Sequence, residues 1–152
     1  MSKLVLFFCT VILFISCTSN SNSEKETPSQ MEGTWKLISG TLIEKGDTVV
    51  TDYTKNVSFI KIINKTHFSF VKHDLNKGKD STASFDAGAG TYSLVGNTYT
   101  ENLEYCNARE WEGNSFKFEI SFHNDTLIQK GVEKIEKSGI DRLNIEKYLR
   151  VK

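Results

Sequence analysis

The residues best suited to binding or chemistry lie on one predicted β-strand, 98–105. Side chains alternate along a strand, so one face carries Tyr99, Glu101, Leu103 and Tyr105. If that face is buried, Glu101 places a carboxylate in a largely apolar interior, where it needs a partner because an isolated charge is costly to bury. Such a carboxylate would select a polar group on a bound molecule. With the opposite register, Glu101 is an ordinary solvent-exposed residue.

The histidines and hydroxyl residues form no pattern typical of catalysis. His67, His73 and His123 lack the spacing to cysteine or aspartate that metal sites have. No nucleophile lies in a recognisable turn motif. We therefore expect a protein without enzymatic activity, metal or cofactor.

The N-terminus has the features of an export signal. A short basic start precedes an apolar run from Leu4 to Ile15, which is far shorter than the ~20 residues of a spanning helix. The segment Leu13-Phe14-Ile15-Ser16-Cys17 resembles the lipobox of bacterial lipoproteins. That resemblance implies cleavage after Ser16 and acylation of Cys17 by fatty acids such as palmitate, which anchor a protein stably when more than one chain is attached. An ordinary secretory signal with Cys17 as a stray thiol is the alternative.

The segment after the signal is a predicted tether. Between Thr18 and Gln30 there is no aliphatic or aromatic residue, and Pro28 is the only proline of the chain. This composition is typical of a flexible linker. The chain then divides into a signal peptide (1–16), a tether with lipidated Cys17 (17–30) and one globular domain (31–152). We expect a lipid-anchored protein of the bacterial cell envelope, on the outer membrane and facing the periplasm, with surface exposure left open.

Charge and cysteine content restrict the partners and the covalent chemistry. Lys and Arg number 19, as do Asp and Glu, so no basic field favours nucleic acid. Cys9 falls in the signal peptide and Cys17 at the acylation site, which leaves Cys106 without an internal disulfide partner. A lone cysteine usually packs as a small buried hydrophobe. A nucleophile or an intermolecular bridge is the alternative for Cys106.

The globular segment is predicted to be all-β. Apolar residues recur mostly at every second position, most clearly over 116–122. The predicted strands are 34–43, 48–52, 56–63, 67–72, 91–95, 98–105, 116–122 and 126–130, and a closing strand is favoured over a helix for 140–152. So many short strands with short turns suit a sandwich or an up-and-down barrel, and barrel closure removes exposed edges.

A short motif at the start of the first strand identifies a more specific resemblance. Gly33-Thr34-Trp35 resembles the Gly-x-Trp signature of the lipocalins and their calycin relatives, and Arg150 lies near the C-terminus, where such barrels place a basic residue across the Trp. Together with the tether and the domain length, these residues resemble the lipocalin-like domains of Bacteroidetes lipoproteins. The resemblance implies an antiparallel, up-and-down, eight-stranded β-barrel with Gly33, Trp35 and Arg150 in structural roles at its closed end.

An eight-stranded barrel is either filled by side chains or holds one small ligand, so inward residues are the candidate binding site. The predicted ligand-binding residues are Phe68, Phe70, Tyr99, Glu101, Phe116 and Phe118. Our hypothesis is a membrane-anchored lipoprotein that binds a small hydrophobic or amphipathic molecule. The alternative is a filled barrel that acts through its outer surface as an interaction or inhibitor module. The residues that would fill it are Phe59, Phe68, Phe70, Phe116 and Phe118. Tyr148 and Arg150 also resemble, in reverse order, the Arg-x-Tyr with which fatty-acid-binding proteins hold a carboxylate.

Overall fold

The computed structural model describes residues 29–152, and most of them lie in β-strands. The strands are β1 (Gly33–Glu44), β2 (Asp47–Asp52), β3 (Val57–Ile63), β4 (His67–Asp74), β5 (Phe85–Val95), β6 (Thr98–Cys106), β7 (Ser115–His123), β8 (Thr126–Ile135) and β9 (Ile140–Arg150). Two single 3-10 turns occur at Arg109–Trp111 and Glu136–Ser138. The all-β prediction is confirmed, and the C-terminal segment is a strand.

The strands close into an eight-stranded antiparallel barrel. From β3 to β9 each strand pairs with its neighbour in sequence, and β1 pairs with both β3 and β9 to complete the ring. The second half of β1 also pairs with β2, which extends the sheet as a hairpin at one end rather than as a ninth strand of the ring. The predicted up-and-down barrel is confirmed.

Two strands extend well beyond their predicted ends, and glycines explain both differences. β5 begins at Phe85 and not at 91, and β8 continues past Gly131 to Ile135. Glycines interrupt the period-two apolar pattern, but here they allow backbones to approach closely. A Cβ on Gly90 would overlap the carbonyl oxygen of Asn102, and one on Gly131 would overlap that of Lys117. The backbones therefore approach closely at both glycines, and a register shift lies at Ala89/Gly90.

One end of the barrel is closed by Trp35. Its side chain is fully buried, and its indole Nε1 donates a hydrogen bond to the carbonyl oxygen of Met31 at 2.9 Å. The guanidinium carbon of Arg150 lies 4.1 Å from the indole centroid, and Nη1 donates to the carbonyl oxygen of Glu32 at 2.7 Å. Gly33 lies next to this guanidinium with φ of 137°, where a side chain would be strained and would contact Nη1. These contacts at the closed end connect the segment that precedes β1 to both β1 and β9.

The hydrophobic core extends from this closed end into the barrel. Its buried members are Met31, Trp35, Leu37, Ile63, Phe68, Tyr99, Leu103, Phe116, Phe118, Ile120, Leu127, Ile135 and Tyr148. Every strand of the barrel and this whole core lie within residues 29–152. A closed sheet with its own core is what an independently folding domain requires.

Candidate functional site

The barrel is not filled at the end opposite Trp35, where a cavity of about 300 Å³ opens. Aromatic side chains form much of its wall: Tyr53, Phe59, Phe70, Trp111, Phe116 and Phe118. Polar and charged side chains from β3, β6, β8 and β9 also line it, including Lys61, Glu101, Gln129, Asn144 and Glu146. The cavity therefore offers both apolar surface and fixed polar groups to a bound molecule.

Lys61, Glu101 and Gln129 form the floor cluster, where the cavity meets the core. Lys61 Nζ lies 2.6 Å from Glu101 Oε1 and donates to Gln129 Oε1 at 3.1 Å. The three residues come from β3, β6 and β8 and are 3%, 7% and 1% exposed. Glu101 thus points inward, and its charge is paired, as burial of a carboxylate requires.

Aromatic rings surround the ammonium group of the floor cluster. Lys61 Nζ lies 5.7 Å from the ring centroid of Phe68, 5.8 Å from that of Tyr99 and 5.4 Å from that of Tyr148. At these distances the ring faces attract a cation and replace part of its lost hydration. The hydroxyl of Tyr99 is buried and has no hydrogen-bond partner among the described residues. Burial, with the charge of Glu101 next, raises the pKa of Tyr99, so this hydroxyl stays neutral.

A second set of polar groups lies nearer the open end. Arg142 Nε is 2.7 Å from Glu133 Oε2, and Asn144 Nδ2 donates to Glu133 Oε1 at 2.8 Å. Lys72 forms an ion pair with Asp86 across β4 and β5. Burial raises the pKa of Glu133, and the positive charge of Arg142 opposes that rise.

Trp111 is placed at the mouth of the cavity by the loop between β6 and β7. The loop is held by Asn114 Nδ2, which donates to the Trp111 carbonyl oxygen at 2.9 Å, and by Glu112 Oε1, which accepts from the Cys106 backbone N–H at 2.9 Å. The Trp111 ring centroid lies 5.6 Å from that of Phe116 and 5.0 Å from the guanidinium carbon of Arg142. Trp111 therefore links this loop to β7 and to β9 across the mouth.

Cys106 also lines the cavity. Its side chain is half-buried, and it is a free thiol in the described part of the chain. Burial raises the pKa of this thiol, which keeps it protonated near neutral pH and lowers its nucleophilicity. The cysteine therefore contributes a small, weakly polar surface to the wall.

The predicted ligand-binding residues fall into two groups. Phe70, Glu101, Phe116 and Phe118 line the cavity. Phe68 and Tyr99 are buried in the core beneath the floor cluster and do not line it. Their assignment to the cavity wall was wrong, because an inward-facing residue reaches the ligand space only if it also lies toward the open end.

One prediction based on a shared face was wrong, and one resemblance is not reflected in the geometry. Tyr105 does not share the inward face of Glu101: it is 66% exposed, because the irregularity near Gly90 and Leu103 shifts the alternation by one residue. Cys106 points into the cavity in its place. Arg150 lies at the closed end, outside the cavity lining, and Tyr148 Oη donates instead to Glu146 at 2.8 Å. The carboxylate-holding arrangement of Tyr148 and Arg150 is therefore not formed.

Sequence reasoning missed Lys61, Gln129, Trp111 and Arg142. A usable signal existed for Lys61, because it shares the inward face of β3 with Phe59 and Ile63 in an otherwise apolar strand. A lysine at a core-facing position indicates a buried partner. Trp111 and Arg142 carried no such signal, since their contact joins a loop to a strand far away in sequence.

Two further properties concern the described segment alone. Within 29–152, no group of three or more His, Cys, Asp or Glu side chains is placed to hold a metal ion. No helix in the same segment has the length and apolar character needed to cross a membrane. Cys17 and the predicted signal peptide lie outside the described residues.

The closed eight-stranded, up-and-down barrel, with Trp35 under Arg150 at one end and a cavity at the other, is a lipocalin-like fold. No protein-family model matches the chain, and no curated protein matches it. Among solved structures, a lipocalin-like protein from Bacteroides uniformis is similar, with 15% identity, a TM-score of 0.49 and coverage of 81% of this chain and 100% of that chain. A protein from Bacteroides eggerthii is also similar, with 12% identity, a TM-score of 0.47 and coverage of 79% and 98%.

Proposed function

We propose that the protein is a lipoprotein of the bacterial cell envelope whose barrel binds one small amphipathic molecule. The cavity of about 300 Å³ is the observation that carries this proposal, because a filled barrel would offer no such space. Its volume is at the low end of the range typical of small-molecule sites, ~300–1,000 Å³, which favours a compact ligand over a long acyl chain.

The character of the lining supports an amphipathic ligand over a purely apolar one. Aromatic rings such as Phe70, Phe116 and Phe118 provide apolar contact area. The floor cluster and the pairs nearer the mouth place fixed charges in the same space. A ligand without polar groups would desolvate these charges without replacing their water contacts, which costs free energy.

Membrane anchoring through Cys17 is part of the proposal and is supported by the lipobox-like sequence and the polar tether. The proposed location is the outer membrane, with the domain facing the periplasm. Residues 29–31 join the barrel at its closed end, where Arg150 donates to carbonyl oxygens of Gln30 and Glu32. An anchor attached there leaves the mouth of the cavity, at the other end, free to admit a ligand.

A calorimetric titration of residues 29–152 with 1-octanol, a compact neutral amphiphile, tests the binding proposal. We expect saturable one-to-one binding that is lost in Leu42→Trp, since Leu42 lines the cavity and an indole there would occupy it. Val132→Trp is the matched control, because Val132 is 53% exposed on the outer face of β8. Binding that is absent, or that is equal in both variants, would contradict the proposal.

A further inference from the structure

The charged groups that line the cavity do not balance. The lining holds three cationic side chains and four carboxylates: Lys61, Lys72 and Arg142 against Asp86, Glu101, Glu133 and Glu146. Each cation is already within ion-pair distance of one carboxylate, namely Glu101, Asp86 and Glu133 in that order. Glu146 is the fourth carboxylate, and no cationic side chain of the described residues pairs with it. The cavity lining therefore has one carboxylate whose charge is not neutralised by a cationic side chain of the described residues.

Glu146 occupies a defined position in the wall. It lies on the inward face of β9, half-buried, and its Oε2 atom accepts a hydrogen bond from Tyr148 Oη at 2.8 Å. Burial, with the charge of Glu146 next, raises the pKa of Tyr148 well above its ordinary value, so the hydroxyl remains the donor. One carboxylate oxygen of Glu146 is thus fixed in place, while the other makes no hydrogen bond among the described residues.

The ring of Tyr53 lies against the position of β1 that is opposite this carboxylate. In the pairing of β1 and β9, Glu146 is opposite Gly40. The absence of a side chain at Gly40 admits the ring of Tyr53, because a Cβ there would lie 3.1 Å from Tyr53 Cε2. The Tyr53 backbone N–H donates to the Ile38 carbonyl oxygen at 3.0 Å, which holds this ring near the wall. Glu146 and Tyr53 both line the cavity, and a carboxylate and an aromatic ring are the two groups that recognise an organic cation in proteins.

We propose that the cavity selects amphipathic molecules that carry an amine, with the ammonium group bound between Glu146 and the Tyr53 ring. This inference rests on the proposed function and specifies its ligand class. An ammonium group neutralises the one unbalanced charge of the lining, and the apolar part of the ligand contacts the aromatic wall. An anionic head group would be repelled by Glu146, while the three cations that could attract it are already paired.

Three amphiphiles of equal chain length test the inference with residues 29–152 at pH 7. Octylamine presents an ammonium head, octanoate an anionic head and 1-octanol a neutral head. We expect octylamine to bind about tenfold more tightly than 1-octanol, as one charge-assisted hydrogen bond would provide. Glu146→Gln should remove this preference, because the amide carries no negative charge, while glutamine still accepts the hydrogen bond from Tyr148. Glu119→Gln, at an exposed position on β7, is the matched control and should behave as wild type.

A second variant separates recognition from folding. Tyr53→Leu keeps Glu146 but removes the ring, and it should weaken octylamine binding more than 1-octanol binding. If the protein binds 1-octanol but does not bind octylamine more tightly, the inference is overturned while the proposed function stands. The same holds if the preference for octylamine survives Glu146→Gln. If none of the three amphiphiles binds, the proposed function fails and this inference fails with it.

Discussion

Lys61 Nζ and Glu101 Oε1 are 2.6 Å apart at the boundary between the hydrophobic core and the cavity. Both side chains are nearly excluded from solvent, and Gln129 accepts a further hydrogen bond from the ammonium group. The pair thereby allows two charges to remain inside the barrel and to face the cavity. Because each charge depends on the other, the pair gives a sharp stability test.

Replacement of Lys61 by methionine should lower the free energy of unfolding by about 3 kcal/mol, because it leaves the Glu101 carboxylate buried without its cation. The double variant Lys61→Met, Glu101→Leu should recover most of that loss, since an apolar pair of similar volume no longer buries a charge. Denaturant titration of both proteins measures the difference. A double variant less stable than Lys61→Met alone would contradict this account of the floor cluster.

The closed end predicts a second stability effect. Arg150→Met keeps the apolar stem but removes the contact with the Trp35 ring and the hydrogen bonds to the carbonyl oxygens of Gln30 and Glu32. We expect a loss of about 2 kcal/mol in the free energy of unfolding. Lys147→Met, at an exposed position on the same strand, should change it by less than about 0.5 kcal/mol. Equal losses in the two variants would show that the Arg150 contacts contribute nothing.

Local sequence patterns predicted the strands but not which of their faces is buried. The period-two pattern and the turn residues were sufficient for most of the strands, because these signals are local, but they suited a sandwich as well as a barrel. The barrel was predicted from the resemblance of Gly33-Thr34-Trp35 to the lipocalin signature. The inward orientation of Glu101 remained open, since alternation gives two faces and does not say which is buried. The position of Tyr105 was wrong because one irregularity in pairing, near Gly90, reverses the faces that follow.

The cavity depends on contacts between strands that are distant in sequence. The sequence does not show which of these strands face one another. Lys61 meets Glu101 and Gln129 only when β3, β6 and β8 face one another across the barrel. The same holds for Trp111 and Arg142, which join a loop to β9. Whether aromatic residues fill a barrel or line a space is decided by such cross-barrel packing. The sequence therefore supported both the ligand-binding and the filled-barrel hypotheses.

Asp74 should make part of the stability depend on pH. The backbone N–H groups of Gly78 and Ser84 donate to its carboxylate at 2.9 and 3.1 Å and hold the pKa of Asp74 below its ordinary value. A carboxyl whose pKa is lowered by folding stabilises the protein above its unfolded pKa, ~3.9, and loses that contribution as the pH falls through the folded pKa. Asp74→Asn should therefore be destabilising at pH 7.

Urea denaturation of wild type and Asp74→Asn at a series of pH values measures this dependence. The difference between the two proteins should be constant at neutral pH and should shrink as the pH falls below ~3.9. A difference that does not change with pH would show that the carboxylate charge of Asp74 contributes nothing.

Trp111 should control how long a ligand stays bound. Trp111→Ala removes an aromatic contact at the mouth and the link to Arg142, so we expect 1-octanol to bind about three- to tenfold more weakly, mainly through faster dissociation. Stopped-flow measurements of association and dissociation separate the two rates. Glu110→Ala, at an exposed position in the same 3-10 turn, is the control. A change confined to the association rate would contradict a role for Trp111 in retaining the ligand.

The most direct test of ligand binding is native mass spectrometry of the protein isolated from its own host. The account predicts a reproducible added mass of one small molecule for each barrel, which solvent extraction releases and which Leu42→Trp abolishes while Val132→Trp retains it. Chemical analysis of the extract should find an amine on an apolar body. A barrel that is consistently free of added mass, and that none of the three octyl amphiphiles stabilises, would contradict the central claim.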